Sequence, residues 1–487
     1  MRNFVRSLML LLALWLPVTA SAAPIPVRGV VEGFYGTPWT QEQRLDMLAF
    51  MGKQGLNAYI YSPKDDVYAR AKWREAYPEK QLAEIRALVQ AADQAGVSFV
   101  YALSPGLDVH LSGASCASDR AAAEQKLEAM YACGVRSFAI FFDDIQDKDG
   151  AGQAAFCNAL ELSMRQKHPD VKAFYTVPTE YCYQDMVAAD GQVKPYTQAF
   201  MRGLSKEIGV LYTGNGVVAP ALTEADQQRA EKACGRSLGV WWNYPVSDYM
   251  ESKLALGPVE RLPKKGVETV FFNPMKYPEL SKIALATGAA YAKTPESYRP
   301  QEAWHAAIQA QYGSLADDFE RFADQSQHME NSWAKVGPAD GRVMRQWMDG
   351  FWKAWAKASE PEPVPQDVLN QADSYRKALD TELAETESAC RNLEEKLPTQ
   401  NPEAWKECAP QIKQLQKLCE ADRLGIRYLQ AVRQGDVLQA KVLHGQLRYQ
   451  QNALHASQKE ACIAETTAMA FLDEVFEFDE KKANMIK

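Results

Sequence analysis

Between Val27 and Lys293, short apolar runs alternate with longer stretches in which apolar positions recur every three or four residues. The runs are VRGVVEG (Val27–Gly33), NAYIYS (Asn57–Ser62), SFVYAL (Ser98–Leu103) and SFAIFF (Ser137–Phe142). KAFYTV (Lys172–Val177), GVLYT (Gly209–Thr213), GVWWN (Gly239–Asn243) and TVFFN (Thr269–Asn273) continue the series. Each is rich in β-branched or aromatic residues and ends in polar ones, which predicts eight strands, and the run Phe138–Phe142 fits one buried on both faces. The intervening stretches predict helices. Over Thr40–Gln54, Thr40 and Gln43 are placed for a capping box, Leu45, Leu48 and Met51 for a buried stripe, and Gly55 for the stop. Ala83–Ala95 ends before Gly96, and Ala121–Ala132 before Gly134, in the same manner. Eight strands alternating with helices over roughly 250 residues predict a (β/α)8 barrel. The competing doubly wound sheet would carry a glycine-rich nucleotide fingerprint, and the chain has none.

Beyond about Pro300 the strand-like runs stop and charged helical sequence takes over. Glu360–Pro365 (EPEPVP) and Pro398–Pro402 (PTQNP) interrupt it, and Gln366–Leu397 and Glu403–Gln434 read as two arms of an αα-hairpin. Cys390 and Cys408 lie equidistant from Thr399 in that turn, so they would face each other as a disulfide or as two buried thiols. The recurring Leu, Ile and Ala read as the core of a helical bundle. The expected organisation is a leader over residues 1–23, a barrel over 24–298 and an all-α region over 299–487.

The leader reading rests on Arg2 and Arg6, the apolar segment Leu8–Leu16 and the small-residue exit Ser21-Ala22-Ala23. That pattern predicts a cleavable export signal, and its apolar segment is too short to span a bilayer. With no cysteine at the exit, no stable membrane anchor is expected; the protein is placed in a bacterial periplasm or outside the cell. Nine cysteines without a CxxC pair, and six histidines without HExxH, predict neither a metal site nor a cofactor. The net charge of −8 argues against nucleic acid and anionic membrane as partners.

In such a barrel the chemistry gathers where the strands end. The strand ends carry Glu32-Gly33-Phe34-Tyr35, Pro63-Lys64-Asp65-Asp66, Ser104-Pro105-Gly106, Asp143-Asp144, Pro178-Thr179-Glu180-Tyr181, Gly214-Asn215, Trp241 and Asn243 with Asp248-Tyr249 beyond, and Asn273. Carboxylates, amides, one lysine and flat aromatics on one rim suit a sugar. Asp143 and Asp144 close the apolar run FAIFF, and as neighbours they cannot easily straddle a glycosidic bond from opposite sides. They can occupy one side as a coupled pair, one protonated and acting as an acid, the other ionised, with the substrate supplying the nucleophile. Taken singly, each has a plainer reading: a helix cap for the aspartates, a solvated ion pair for Lys64, rim packing for Tyr181 and Trp241, loop or cap roles for Asn243, Asp248 and Asn273. Their convergence on one rim favours the site.

These residues resemble glycoside hydrolase family 84, the β-N-acetylglucosaminidases that include protein O-GlcNAcases. The resemblance rests on GVVEGFYGTPW (Gly29–Trp39), YSPKDD (Tyr61–Asp66), FAIFFDDIQ (Phe138–Gln146), PTEYC (Pro178–Cys182), YTGNGVV (Tyr212–Val218) and FFNP (Phe271–Pro274), in that order. It implies that Asp143 orients and polarises the substrate 2-acetamido group, that Asp144 is general acid and then base, and that configuration is retained through an oxazoline intermediate. It further implies that Gly33, Lys64, Asp248 and Asn273 hold sugar hydroxyls, while Tyr181, Asn243 and Trp241 form the acetamido pocket. Val177 stands where the family often has cysteine, and still offers an apolar wall. The expected function is a metal-free, retaining exo-β-N-acetylglucosaminidase acting on N-acetylglucosamine-containing glycans or glycoconjugates. The alternatives are a non-catalytic N-acetylglucosamine-binding protein and a metal-dependent barrel deacetylase.

Overall fold

The computed structural model describes residues 23–360 and 363–485, with side chains described as far as residue 478. The leader expected over residues 1–23 lies, apart from Ala23, outside the described residues, as do Pro361 and Glu362 of the EPEPVP break. Eight parallel strands close a barrel in sequence order. They are β1 (Val27–Glu32), β2 (Ala58–Tyr61), β3 (Ser98–Leu103), β4 (Ser137–Phe141), β5 (Ala173–Val177), β6 (Gly209–Tyr212), β7 (Leu238–Trp242) and β8 (Thr269–Phe272). Closure is made by β8 on β1, with Val27 opposite Thr269 and Val30 opposite Phe272. The continuous apolar runs have a simple cause, since both faces of every strand are covered. In β4, Ala139 and Phe141 join the interior cluster with Val31, Ile60, Leu211 and Phe271. Phe138, Ile140 and Phe142 instead pack outward into the larger core beneath the helices.

The barrel helices are α1 (Gln41–Gln54), α2 (Glu79–Gln94), α3 (Ala114–Ala132), α4 (Gly150–Lys167), the single turn α5 (Tyr183–Met186), α6 (Pro195–Gly203), α7 (Glu224–Cys234) and α8 (Pro278–Lys293). In α1 the capping box between Thr40 and Gln43 is formed, and Gly55 ends the helix at φ 70°. Its buried stripe is Met47, Leu48 and Met51; Leu45 is only half-buried. No α-helix joins β7 to β8: residues 243–268 form an irregular loop, in which Pro245, Pro258, Pro263 and two glycines disfavour helical continuation.

After the barrel come α9 (Pro300–Tyr312) and α10 (Ala316–Asp324), then an antiparallel pair of two-residue strands, β9 (Met329–Glu330) and β10 (Lys335–Val336). The pair corrects the expectation that strands end at the barrel; it is too short to leave a periodic signal. The helices α11 (Arg342–Lys357), α12 (Gln366–Gln400), α13 (Pro402–Gln434), α14 (Val437–Ser457) and α15 (Ala468–Met485) follow. The hairpin of α12 and α13 turns on Asn401 alone, so α12 continues through Pro398. Asn401 caps α13 by accepting the Ala404 N–H at 3.1 Å, and Pro402 is preset for the first helical position. Cys390 and Cys408 are both buried free thiols; the Cys408 thiol donates to the Ala404 carbonyl at 2.9 Å. No helix among the described residues is long and apolar enough to cross a membrane.

Candidate active site

The ends of the barrel strands surround a cavity of about 370 Å³. Gly33, Lys64, Asp143, Asp144, Tyr181, Trp241, Asn243, Asp248 and Asn273 all line it. Asp143 directly follows Phe142, and the next residue, Asp144, sits in the left-handed region at φ 56°. That turn gives the two carboxylates separate partners. Asp143 is paired with the ammonium of Lys64, and both side chains are almost fully buried. Asp144 accepts from two phenols, Tyr35 at 2.8 Å through Oδ2 and Tyr181 at 2.7 Å through Oδ1. Burial, reinforced by Asp144, holds both tyrosine hydroxyls well above their ordinary pKa, so both stay protonated. Arg70 supports Tyr35 by donating to its hydroxyl at 3.3 Å.

The opposite wall is a chain of amides. The Trp241 Nε1–H and the Asn273 Nδ2–H both donate to Asn243 Oδ1, at 2.8 and 2.9 Å. Asn243 in turn donates to the Val217 carbonyl at 2.7 Å, which fixes which way its amide points. Gly33 has to be glycine, because a Cβ there would fall 2.3 Å from Cζ2 of Trp241. Asp248 lies on the irregular loop after β7 and accepts the Tyr35 backbone N–H at 2.8 Å. Burial pushes its carboxyl above the ordinary value.

Several rim carboxylates named from the sequence do not reach the cavity. Glu32 is fully buried beneath α1, held by two hydrogen bonds from Arg44 at 2.9 and 2.7 Å and by the Tyr59 hydroxyl. Asp66 accepts from the Tyr61 and Tyr77 hydroxyls at 2.9 and 2.7 Å. Glu180 pairs with Lys148 at 3.1 Å and accepts from Thr197. All three fasten barrel segments together.

The cavity also has walls to which the sequence assigned no role: Tyr35, Thr213, Val217, Val218, Val246, Tyr249 and Trp333. Tyr35, Thr213, Val217 and Val218 lie inside motifs already singled out, and Tyr249 among the strand-end residues. Trp333 comes from the turn between β9 and β10, far beyond the barrel in sequence, and its ring lies 5.1 Å from that of Tyr249. No periodicity marks it. Among the described residues, no group of three or more His, Cys, Asp or Glu side chains could hold a metal ion.

A family described as beta-N-acetylglucosaminidase matches residues 28–324, and one described as hyaluronidase post-catalytic domain-like matches residues 343–472. The protein O-GlcNAcase of Rattus norvegicus is 34% identical over 279 residues, covering 55% of this chain and 30% of its own length. The chain thus spans about a third of the curated relatives it matches. The solved structure of CpGH84B superposes with a TM-score of 0.86 at 32% identity, covering 93% of this chain and 77% of that one. The Thermobaculum terrenum O-GlcNAc hydrolase, solved as a mutant, superposes with a TM-score of 0.79 at 26% identity, covering 92% and 94%.

Proposed function

The chain belongs to the β-N-acetylglucosaminidase family, glycoside hydrolase family 84, and from that premise we propose that it is a retaining exo-enzyme whose substrate supplies the nucleophile. The observation that carries this reading is the adjacency of Asp143 and Asp144 on one wall, each with its own partners. Usual glycosidase carboxylate pairs flank the scissile bond from two sides, ~5 Å or more apart. Two neighbours on one wall instead suit one group serving the acetamido arm and one serving the leaving group.

In the first step the acetamido carbonyl oxygen attacks the anomeric carbon as the bond to the aglycone oxygen breaks. Asp144 gives that oxygen its proton, and an oxazoline ring forms. Asp143, anionic beside Lys64, accepts the amide N–H and balances the positive charge growing on nitrogen. In the second step water attacks the anomeric carbon from the face the aglycone left, Asp144 takes its proton, and the ring opens to restore the amide. Two inversions leave the β-configuration unchanged. Trp241, Asn243 and Tyr181 wall the acetamido arm, while Gly33, Lys64, Asp248 and Asn273 take sugar hydroxyls. The cavity of about 370 Å³ is near the small end of ligand pockets, ~300–1,000 Å³, which suits one terminal sugar. The leader pattern of residues 1–23 supports export, and with it cell-wall, chitin-derived or host glycans as natural substrates.

The test is a series of 4-nitrophenyl β-glucosaminides whose N-acetyl group carries zero to three fluorines. Fluorine drains the carbonyl oxygen of nucleophilicity, so kcat/KM should fall steeply along the series. A flat series would overturn substrate participation.

A further inference from the structure

One surface is left over once the barrel, the bundle and the cavity are accounted for. The three most exposed large apolar side chains among the described residues are Tyr449 at 78%, Leu438 at 77% and Val437 at 64%, and all three stand on α14. Val442, 53% exposed, stands on the same helix. Leu438, Val442, Gly445, Tyr449, Asn452 and Ala456 are all exposed and are spaced alternately four and three residues apart. That is the 3.5-residue seam by which one helix packs along another, and it runs about 27 Å at 1.5 Å per residue. No acidic or basic side chain lies in it.

Gly445 supplies an independent observation. It is in the middle of a helix, it is exposed, its φ lies outside the left-handed region, and a Cβ built on it meets no atom within 4 Å. A glycine there costs the helix ~0.5–1 kcal/mol relative to alanine, and nothing among the described residues requires it. A close neighbour outside the chain would.

The seam is complementary to itself. Reversed about the level of Leu447, it sets Leu438 against Ala456, Val442 against Asn452 and Tyr449 against Gly445, a large residue facing a smaller one each time. The flanking residues agree: Lys441 falls beside Ala453, Arg448 beside Gln446 and His455 beside Gln439, so no like charges meet. We propose that a second copy of this chain docks antiparallel along α14, with the Tyr449 ring of each copy seated over Gly445 of the other. The contact is isologous and closes as a dimer. A single helix pair lies at or below the ~1,200 Å² lower end of specific interfaces, so the dimer forms reversibly with concentration. Helix α14 contributes nothing to the sugar cavity, and turnover is unaffected.

Sedimentation of the purified protein over a concentration series tests this, with Gly445→Glu and Val442→Glu beside wild type. The expected result is a monomer–dimer equilibrium in wild type, weakened at least tenfold in both variants, with kcat unchanged. Gly445→Glu should also keep or raise Tm, since the position is open in the monomer. The register is read by oxidative trapping. Gly445→Cys with Tyr449→Cys should give a disulfide-linked dimer, whereas Leu438→Cys with Val442→Cys, and wild type with only Cys116 partly exposed, should not. A monomer at every concentration overturns the proposal, whether the face is then covered by residues 1–22 or by another protein. A dimer indifferent to both glutamates, or equal trapping of both cysteine pairs, overturns it as well.

Discussion

Tyr35 and Tyr181 each give Asp144 one hydrogen bond, one to each carboxylate oxygen. Removing either hydroxyl, as Tyr35→Phe or Tyr181→Phe, should lower kcat/KM by about 10- to 100-fold, since each bond stabilises the charge Asp144 gains as it gives up its proton, and a hydrogen bond to a charged group contributes ~1.5–3 kcal/mol. Both phenols are raised by burial and then by Asp144, so they stay protonated past the ordinary tyrosine value. The alkaline limb of the wild-type pH profile should therefore owe nothing to either tyrosine below pH ~10. At this scale all nine residues singled out from the sequence line the cavity, and the strand ends also carried Glu32, Asp66 and Glu180, which turn away. The reason is physical. A residue just past a strand can point into the barrel mouth or back beneath a helix, and the choice depends on partners distant in sequence, such as Arg44 for Glu32 and Thr197 for Glu180. Tyr35 stood on the predicted rim without a role, because that role depends on Asp144, which lies more than a hundred residues away.

Elements were easier to read than residue roles. Eight covered strands leave eight short runs rich in apolar residues, and the observed strands begin or end within a residue of those runs. Helix α1 was legible because its cap is local, whereas its buried stripe takes Met47 in place of Leu45, a choice set by packing against distant elements. The loop after β7 was harder, because prolines say only that a helix is disfavoured. Yet that loop carries Asp248 and Tyr249 to the cavity. The junction at the end of β1 is equally demanding: Gly33 leaves room for the Trp241 indole, and nothing else could. Gly33→Ala should displace that ring, raising KM and lowering kcat/KM at least 100-fold. Steady-state kinetics on an aryl N-acetyl-β-glucosaminide, read beside a near-native circular dichroism spectrum, checks this.

The whole molecule joins barrel and bundle through buried polar contacts. Lys253, on the loop after β7, pairs with Asp340 at 3.1 Å and with Glu465 at 2.5 Å. Asp340 also accepts the backbone N–H groups of Gln327 and His328 at 2.6 and 2.7 Å, just before the β9–β10 turn that brings Trp333 to the cavity. Such long-range assembly leaves no periodic trace, and this is why Trp333 was not legible beforehand. Within the bundle, Asp422 is fully buried, and neither carboxylate oxygen has a hydrogen-bond partner among the described residues. Burial, with Glu474 and Asp473 nearby, raises its carboxyl well above the ordinary value. A raised folded-state pKa gives a contribution that is full below the unfolded value near 4 and is lost as pH climbs through the folded one. Asp422→Leu should therefore flatten the alkaline fall in Tm and stabilise the protein by about 1–3 kcal/mol at its upper end. The central claim, that neighbouring aspartates divide the chemistry, is tested most directly by one kinetic comparison. Wild type, Asp143→Asn and Asp144→Asn are each assayed on 4-nitrophenyl and on methyl N-acetyl-β-glucosaminide. Wild type should turn over both, Asp143→Asn should fall ~10²–10⁴-fold on both, and Asp144→Asn should fall as far on the methyl glycoside but much less on the nitrophenyl one. An inert wild type, an unimpaired Asp143→Asn, or an Asp144→Asn variant equally impaired on both substrates would contradict it.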